Sequence, residues 1–190
     1  FPMMKSSRPL PVSAFAGTSE PQQLMLLNAG IGSLEKRLQM IEAARKTIDV
    51  EFYIYKTDLA GRLFTQALIK KAQEGTVKVR VLVDSAPFVR SLNQYYAQAL
   101  RKYGIEVRFY NESFLLDIQR VNHRSHRKTL IVDGEQAITG GRNVADEYFD
   151  MSETYNFIDR DVYVQGSLVS SIQQSFDDFW GTKISEQFEK

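Results

Sequence analysis

The chain has 190 residues, with 24 Lys+Arg against 23 Asp+Glu, a formal net charge of +1 and no cysteine. That length suits one domain, or little more, with a proper core, and 43% hydrophobic with 12% aromatic residues is the composition of an ordinary folded domain rather than a disordered chain. Disulfide frameworks, thiolate zinc sites and cysteine nucleophiles are excluded, and with His123 and His126 as the only histidines a multi-histidine metal site is excluded as well. No apolar run reaches the roughly 18 residues of a membrane span. The near-zero net charge gives no global attraction to nucleic acid or to acidic membranes. The chain begins at Phe1 without a complete signal peptide, as expected of a piece trimmed from a longer protein.

Residues 1–32 are rich in Pro, Ser, Ala and Gly, and read as a loosely packed arm; residues 33–190 read as the single folded domain. Leu34, Leu38, Ile41 and Ala44 fall at helical spacing. Ile48, Val50, Phe52 and Ile54 alternate with Asp49, Glu51, Tyr53 and Tyr55, a strand of period two. Leu63, Ala67, Leu68 and Ala72 predict a second helix capped near Asp58. Val77 to Asp84 predicts a strand, Phe88 to Tyr103 a helix closed by Gly104, and Ile105 to Tyr110 another strand. A strand over His126–Val132, a turn at Asp133-Gly134 and a returning strand over Gln136–Thr139 make a hairpin. Phe157–Val164 predicts a further strand and Leu168–Trp180 a closing helix. The alternation implies an α/β fold, a mixed sheet sandwiched by helices.

Charge is local although the sum is not. Arg120, Arg124, Arg127 and Lys128 cluster with both histidines, whereas Asp146, Glu147, Asp150, Glu153, Asp159 and Asp161 face only Arg160 across the following acidic stretch. A cationic segment carrying both histidines is where an anion would be held. On a strand, His126 and Lys128 would share a face. An imidazole beside a fixed ammonium suits attack at phosphorus, with the ammonium neutralising phosphoryl oxygens. Gly140-Gly141 would let backbone N–H groups approach an oxyanion, and Asn143 adds a neutral donor. A His123/His126 metal pair lacks a third ligand. Arg120 and Arg124 are either a solvated loop or part of an anionic-substrate surface. Tyr53, Tyr55, Phe114, Leu115 and Leu116 are either core or the lining of an acyl-chain path, and Asp84 reads as a strand-end cap.

The pattern His126-x-Lys128-x4-Asp133-x6-Gly140-Gly141-x-Asn143 resembles the HKD motif of the phospholipase D superfamily. Its six specified positions would arise by chance in on the order of one in 10⁵ to 10⁶ chains of this length. The runs Asp49–Tyr55, Val77–Asp84, Asn143–Phe149 and Asp159–Gly166 resemble bacterial cardiolipin synthases, so the likeness covers about residues 30–182. The resemblance implies a phospholipase D-like domain with one HKD motif. It implies His126 as the nucleophile that forms a phosphohistidine, or as the acid/base of the other half-reaction. It implies Lys128 and Asn143, with Gly140 and Gly141, as phosphate binders and Asp133 as the acid that ties down the hairpin. Asp161 would orient the partner motif's histidine, with Asp159 as the second claimant. Where Gly141 stands the family often has serine, which removes one hydroxyl donor.

The activity implied is phosphatidyl transfer on phospholipid phosphodiesters, without metal or cofactor, by a membrane-associated protein of the bacterial cell envelope. The alternatives are hydrolysis, by a lipid phosphodiesterase or a single-motif endonuclease acting on nucleic acid, and a non-catalytic anion- or lipid-binding domain. One histidine cannot be nucleophile and general acid on opposite sides of phosphorus. The partner implied is therefore a second HKD half, in a longer chain or a homodimer. The longer chain is favoured because the family's synthases are about twice this length.

Overall fold

Ile48, Val50 and Phe52 on one strand and Val79, Val81 and Val83 on its neighbour are each at most 1% exposed, and they set the centre of a mixed sheet. The structure, a computed structural model, describes residues 22–84, 92–111 and 124–182 together with the two-residue strand Ser185–Glu186. In chain order the elements are β1 (Gln23–Leu27), α1 (Gly30–Ala43), β2 (Thr47–Phe52), α2 (Leu59–Gln73), β3 (Lys78–Asp84), α3 (Gln94–Arg101), β4 (Glu106–Tyr110), β5 (Thr129–Val132), β6 (Gln136–Gly140), a 3-10 turn (Asp146–Tyr148), β7 (Asp161–Gln165), α4 (Leu168–Trp180) and β8 (Ser185–Glu186). The eight strands make one sheet in the order β1-β7-β6-β5-β2-β3-β4-β8. β2, β3 and β4 run parallel, joined through α2 and α3, and all other pairings are antiparallel.

Both faces of the sheet are covered. Leu34, Met40 and Ile41 of α1, Ala60, Phe64 and Leu68 of α2, and Ala97 and Leu100 of α3 pack on the first face. Val169, Phe176 and Trp180 of α4 pack on the second, against Leu82, Ile131, Ala137 and Val164. This second cover explains why Asp49 and Glu51, the polar alternates of β2, are each only 1% exposed. Asp49 is paired by the Arg80 guanidinium at 2.7 and 2.8 Å and by Gln173 of α4 at 2.8 Å.

Several boundaries differ from the sequence reading. Residues 23–27, assigned to the arm, form β1, which pairs antiparallel with β7, and α1 begins at Gly30. The run Leu24-Met25-Leu26 carries no alternation because β1 is an edge strand with all three side chains exposed. β5 begins at Thr129 rather than His126, and β7 at Asp161 rather than Phe157. The remainder of the arm lies outside the described residues, as does the first part of the helix predicted from Phe88.

The β5–β6 turn follows expectation. Asp133 and Gly134 have φ of 56° and 67°, the left-handed pair of a type I′ hairpin. The Asp133 carboxylate accepts hydrogen bonds from the N–H groups of Arg45, Lys46 and Thr47 at 2.7–3.0 Å, tying the turn to the entry of β2. Asp133→Ala removes the acceptor for three donors and a residue that tolerates positive φ. A loss of about 2–3 kcal/mol is expected, read as a fall of several degrees in Tm, whereas Asp133→Asn loses less than half of that.

Candidate active site

The parallel strands β2 and β3 end at Phe52 and Asp84, and the carboxyl ends of parallel strands are where such sheets open a crevice. Residues 124–128 lie at this end, with Ser125 bonded to Asp84 and Glu51, outside any helix or strand. His126 is exposed, and its ring rests on Tyr53, with centroids 4.8 Å apart. Lys128 is buried; its ammonium donates to the His126 carbonyl and stands 5.5 Å from the Tyr53 ring centre. Both side chains thus flank the Tyr53 ring, although residues 126–128 precede β5 rather than belonging to it.

The next residue after Tyr53 holds the second part of the site. Ile54 N–H donates to Asn143 Oδ1 at 2.9 Å, and Val144 N–H donates back to the Ile54 carbonyl at 3.1 Å. With Oδ1 occupied, the Asn143 NH₂ is the group left to donate, and it lies near the Tyr148 hydroxyl. Asp159 completes the cluster: its carboxylate lies beside Gly141 and acts electrostatically on Lys128. An exposed imidazole, a buried ammonium, an oriented amide and a carboxylate thus gather at one rim.

Comparison with known proteins bears on this arrangement. Residues 38–180 match the family model described as "Cardiolipin synthase, PLD-like domain". The chain belongs to that PLD-like domain family. Its relatives include Cardiolipin synthase 1 of Bacillus anthracis, 37% identical over 157 residues, with 82% of this chain and 30% of the relative covered. Cardiolipin synthase C of Escherichia coli K12 is 33% identical over 171 residues, covering 84% and 35%. The domain thus spans about one third of the curated relatives it matches, a smaller share than the half expected from the sequence. Among solved structures, the fold matches phosphatidylserine synthase of Haemophilus influenzae at a TM-score of 0.67 and 19% identity, covering 84% of this chain and 37% of that one. It also matches Nuc of Salmonella typhimurium, a phospholipase D family member, at a TM-score of 0.63 and 17% identity, covering 90% of this chain and all of that one.

The electrostatics of the PLD-like domain separate its two basic groups. Burial pulls the Lys128 ammonium down to about 8, opposed by Asp159. Partial loss of hydration, and then the nearby Lys128 charge, lower His126 below its ordinary value. A neutral imidazole and a charged ammonium therefore coexist near neutral pH. A phosphate held by Lys128 should bind progressively less well as pH rises through about 8, because the ammonium then loses its charge. In a pH profile of kcat/KM, that loss is the expected alkaline limb, and Lys128→Arg, charged throughout, is expected to remove it. The acid limb, where His126 gains its proton, should remain.

The glycine pair works differently from the expectation of an anion-binding backbone. Gly140 N–H donates to the Lys128 carbonyl and Gly141 N–H to the Arg160 carbonyl, at 3.4 and 3.0 Å. Neither amide is offered to a ligand. Instead their missing side chains make room for carboxylates: a Cβ on Gly140 would lie 2.3 Å from Asp161 Oδ1, and one on Gly141 would lie 1.9 Å from Asp159 Oδ1.

Asp161 is also placed elsewhere than expected. It is completely buried at the start of β7. Its carboxylate accepts from Ser33 Oγ at 2.7 Å and from the Arg142 N–H at 3.2 Å, and pairs with the guanidiniums of Arg37 and Arg142, each at 3.2 Å. Fully buried, the carboxylate is engaged within this chain rather than presented at the rim. Asp159, two residues earlier and just outside the strand, is the acid that faces the rim. Asp133 sits at the opposite end of the β5–β6 hairpin from Lys128 and Gly140, so it holds the strand framework rather than touching the rim.

Tyr55 is core, wedged against Phe52 and Phe64 with its hydroxyl on Thr65. Tyr53 lines the rim instead. Arg124 pairs with Asp84 at 3.3 Å, and Asp84 also accepts from the Ser125 N–H at 2.7 Å, so Asp84 braces the motif segment rather than capping a strand. His123, Arg120 and Phe114 to Leu116 lie outside the described residues. Among the described residues no group of three or more His, Cys, Asp or Glu could hold a metal. Sequence reasoning missed Tyr148 as a site neighbour, although it lies within the run Asn143–Phe149 already singled out.

Proposed function

We propose that this domain supplies one half of a phosphatidyltransferase of the cardiolipin synthase type. The observation that carries the reading is the His126–Lys128–Asn143–Asp159 cluster at one open rim of a PLD-like domain. In the first step an imidazole nitrogen of His126 attacks the phosphorus of a phospholipid phosphodiester. The P–O bond to the headgroup alcohol breaks, and the alcohol leaves with a proton supplied by the histidine of a second motif. In the second step that same partner histidine takes the proton from an incoming hydroxyl, whose oxygen displaces His126 and closes the new diester. Lys128 and Asn143 hold the non-bridging oxygens, and Asp159 is the acid that supports a histidine across the joint site. The relatives' greater length supports a second motif in the same chain.

A lipid substrate implies work at a membrane surface of the bacterial envelope. No helix among the described residues is long and apolar enough to cross a membrane. Ile158 is fully exposed beside Asp159, with exposed Phe157 and Tyr155 preceding it, an apolar lip that suits peripheral contact. The second reading is hydrolysis of a phosphodiester by a dimer of single-motif chains, favoured by the full coverage of the Nuc chain.

The test presents vesicles of phosphatidylglycerol, phosphatidylethanolamine or phosphatidylcholine, and DNA, to this domain and to a longer chain carrying a second motif. Expected are transfer products from phospholipid and an acid-labile, base-stable phosphoprotein. Hydrolysis of DNA alone would sink the first reading in favour of the second.

A further inference from the structure

His126 stands between Ser125 and Arg127, and both neighbours are tied to one buried carboxylate. Ser125 Oγ donates to Glu51 Oε1 at 2.8 Å, and Arg127 Nη2 lies 2.9 Å from Glu51 Oε2. The Glu51 side chain is 2% exposed. Arg127 is held from its other flank by the Phe179 ring of α4, 4.1 Å from the guanidinium carbon. The imidazole between these anchors is exposed, with Tyr53 as its ring contact.

A buried carboxylate is expensive to keep, and apolar replacement of such pairs is often neutral or better for stability. Stability is therefore a poor account of Glu51. Its two partners flank His126 in sequence, and it rises from the same strand whose continuation provides Tyr53 and the Ile54 N–H that orients Asn143. An exposed nucleophile gains its rate from being held within a fraction of an ångström of the attack line, and that requires a fixed backbone. We propose that Glu51 is a positioning residue for His126: by binding Ser125 and Arg127 it locks the main chain that carries the imidazole over the end of β2. The proposal rests on His126 being the nucleophile.

Glu51→Gln keeps the side-chain volume and an acceptor for Ser125 but loses the ion pair; Glu51→Ala loses both. In the protein assayed with phospholipid vesicles, kcat is expected to fall about 5-fold in the first and about 50-fold in the second. KM should stay within about twofold, since Glu51 touches neither Lys128 nor Asn143. The independent readout is the His126 ring resonance, displaced by the Tyr53 ring current. It should move toward the free-histidine position in Glu51→Ala while the Trp180 indole signal stays in place.

A Glu51→Ala protein with kcat within twofold of the parent and an unmoved His126 resonance overturns the proposal. So does a variant in which KM and the Trp180 signal change along with kcat, since that is general loosening of the core. If Glu51→Ala does not fold, Glu51→Gln and Arg127→Met are read by the same measurements, and parent-like values in both overturn it. If the parent protein forms no phosphohistidine, the nucleophile reading is what has failed; the His126 resonance still reports whether Glu51 fixes the ring.

Discussion

His126→Ala is expected to abolish the phosphoprotein and lower turnover by about 10³-fold or more, with no change in unfolding midpoint. The size follows from chemistry: no other described side chain at the rim combines an unprotonated nitrogen near neutral pH with an exposed position. The unchanged stability follows from structure, since the exposed ring makes one aromatic contact and the backbone beneath it is held by Ser125, Arg127 and Lys128. Quenched-flow labelling with ³²P-phospholipid and a chemical denaturation curve check the two halves separately. A variant that still accumulates labelled protein at the parent rate would remove His126 from the reaction.

The second large effect falls on stability. Asp161→Ala is expected to cost about 3–5 kcal/mol, because it leaves the guanidiniums of Arg37 and Arg142 buried without a counter-ion. Burial already depresses the Arg37 pKa, with Asp161 as the main opposing influence. At the rim the contrast is Asp159→Asn, which should leave the midpoint of unfolding near the parent value and lower turnover. Denaturant midpoints and steady-state rates of the two variants give the comparison. Parent-like stability with lost activity in Asp161→Ala would return the partner-facing role to that residue.

These two aspartates show where sequence reasoning stops. Two residues apart on a strand means one shared face, but β7 begins at Asp161, so Asp159 departs from the strand's alternation and turns to the rim. No local pattern marks that boundary. Glu51 posed a similar problem: alternation separates the two faces of β2 but does not say that α4 will cover the polar one. β1 was hidden because an exposed edge strand needs no period-two pattern. What could be read directly was whatever depends on short-range geometry. The positive-φ pair Asp133-Gly134, the Asp58 side chain capping α2 at 3.1 Å, and the parallel order implied by strand–helix–strand alternation all belong here. The glycine pair was legible as a need for close approach, and only the approaching group was misjudged, side-chain carboxylates in place of a ligand.

The two ends of β2 are gripped by side chains from one motif. Asp133 takes the N–H groups at its entry, Asn143 takes the Ile54 N–H just past its exit, and β5 pairs along the length between them. The interval from Asp133 to Asn143 is thus a ruler laid against a different strand. Its length must match that of β2, whatever reaction the rim performs. Inserting two residues into β2 should break one grip or the other, and lengthening the β5–β6 hairpin by the same amount in each arm is the change that would restore both.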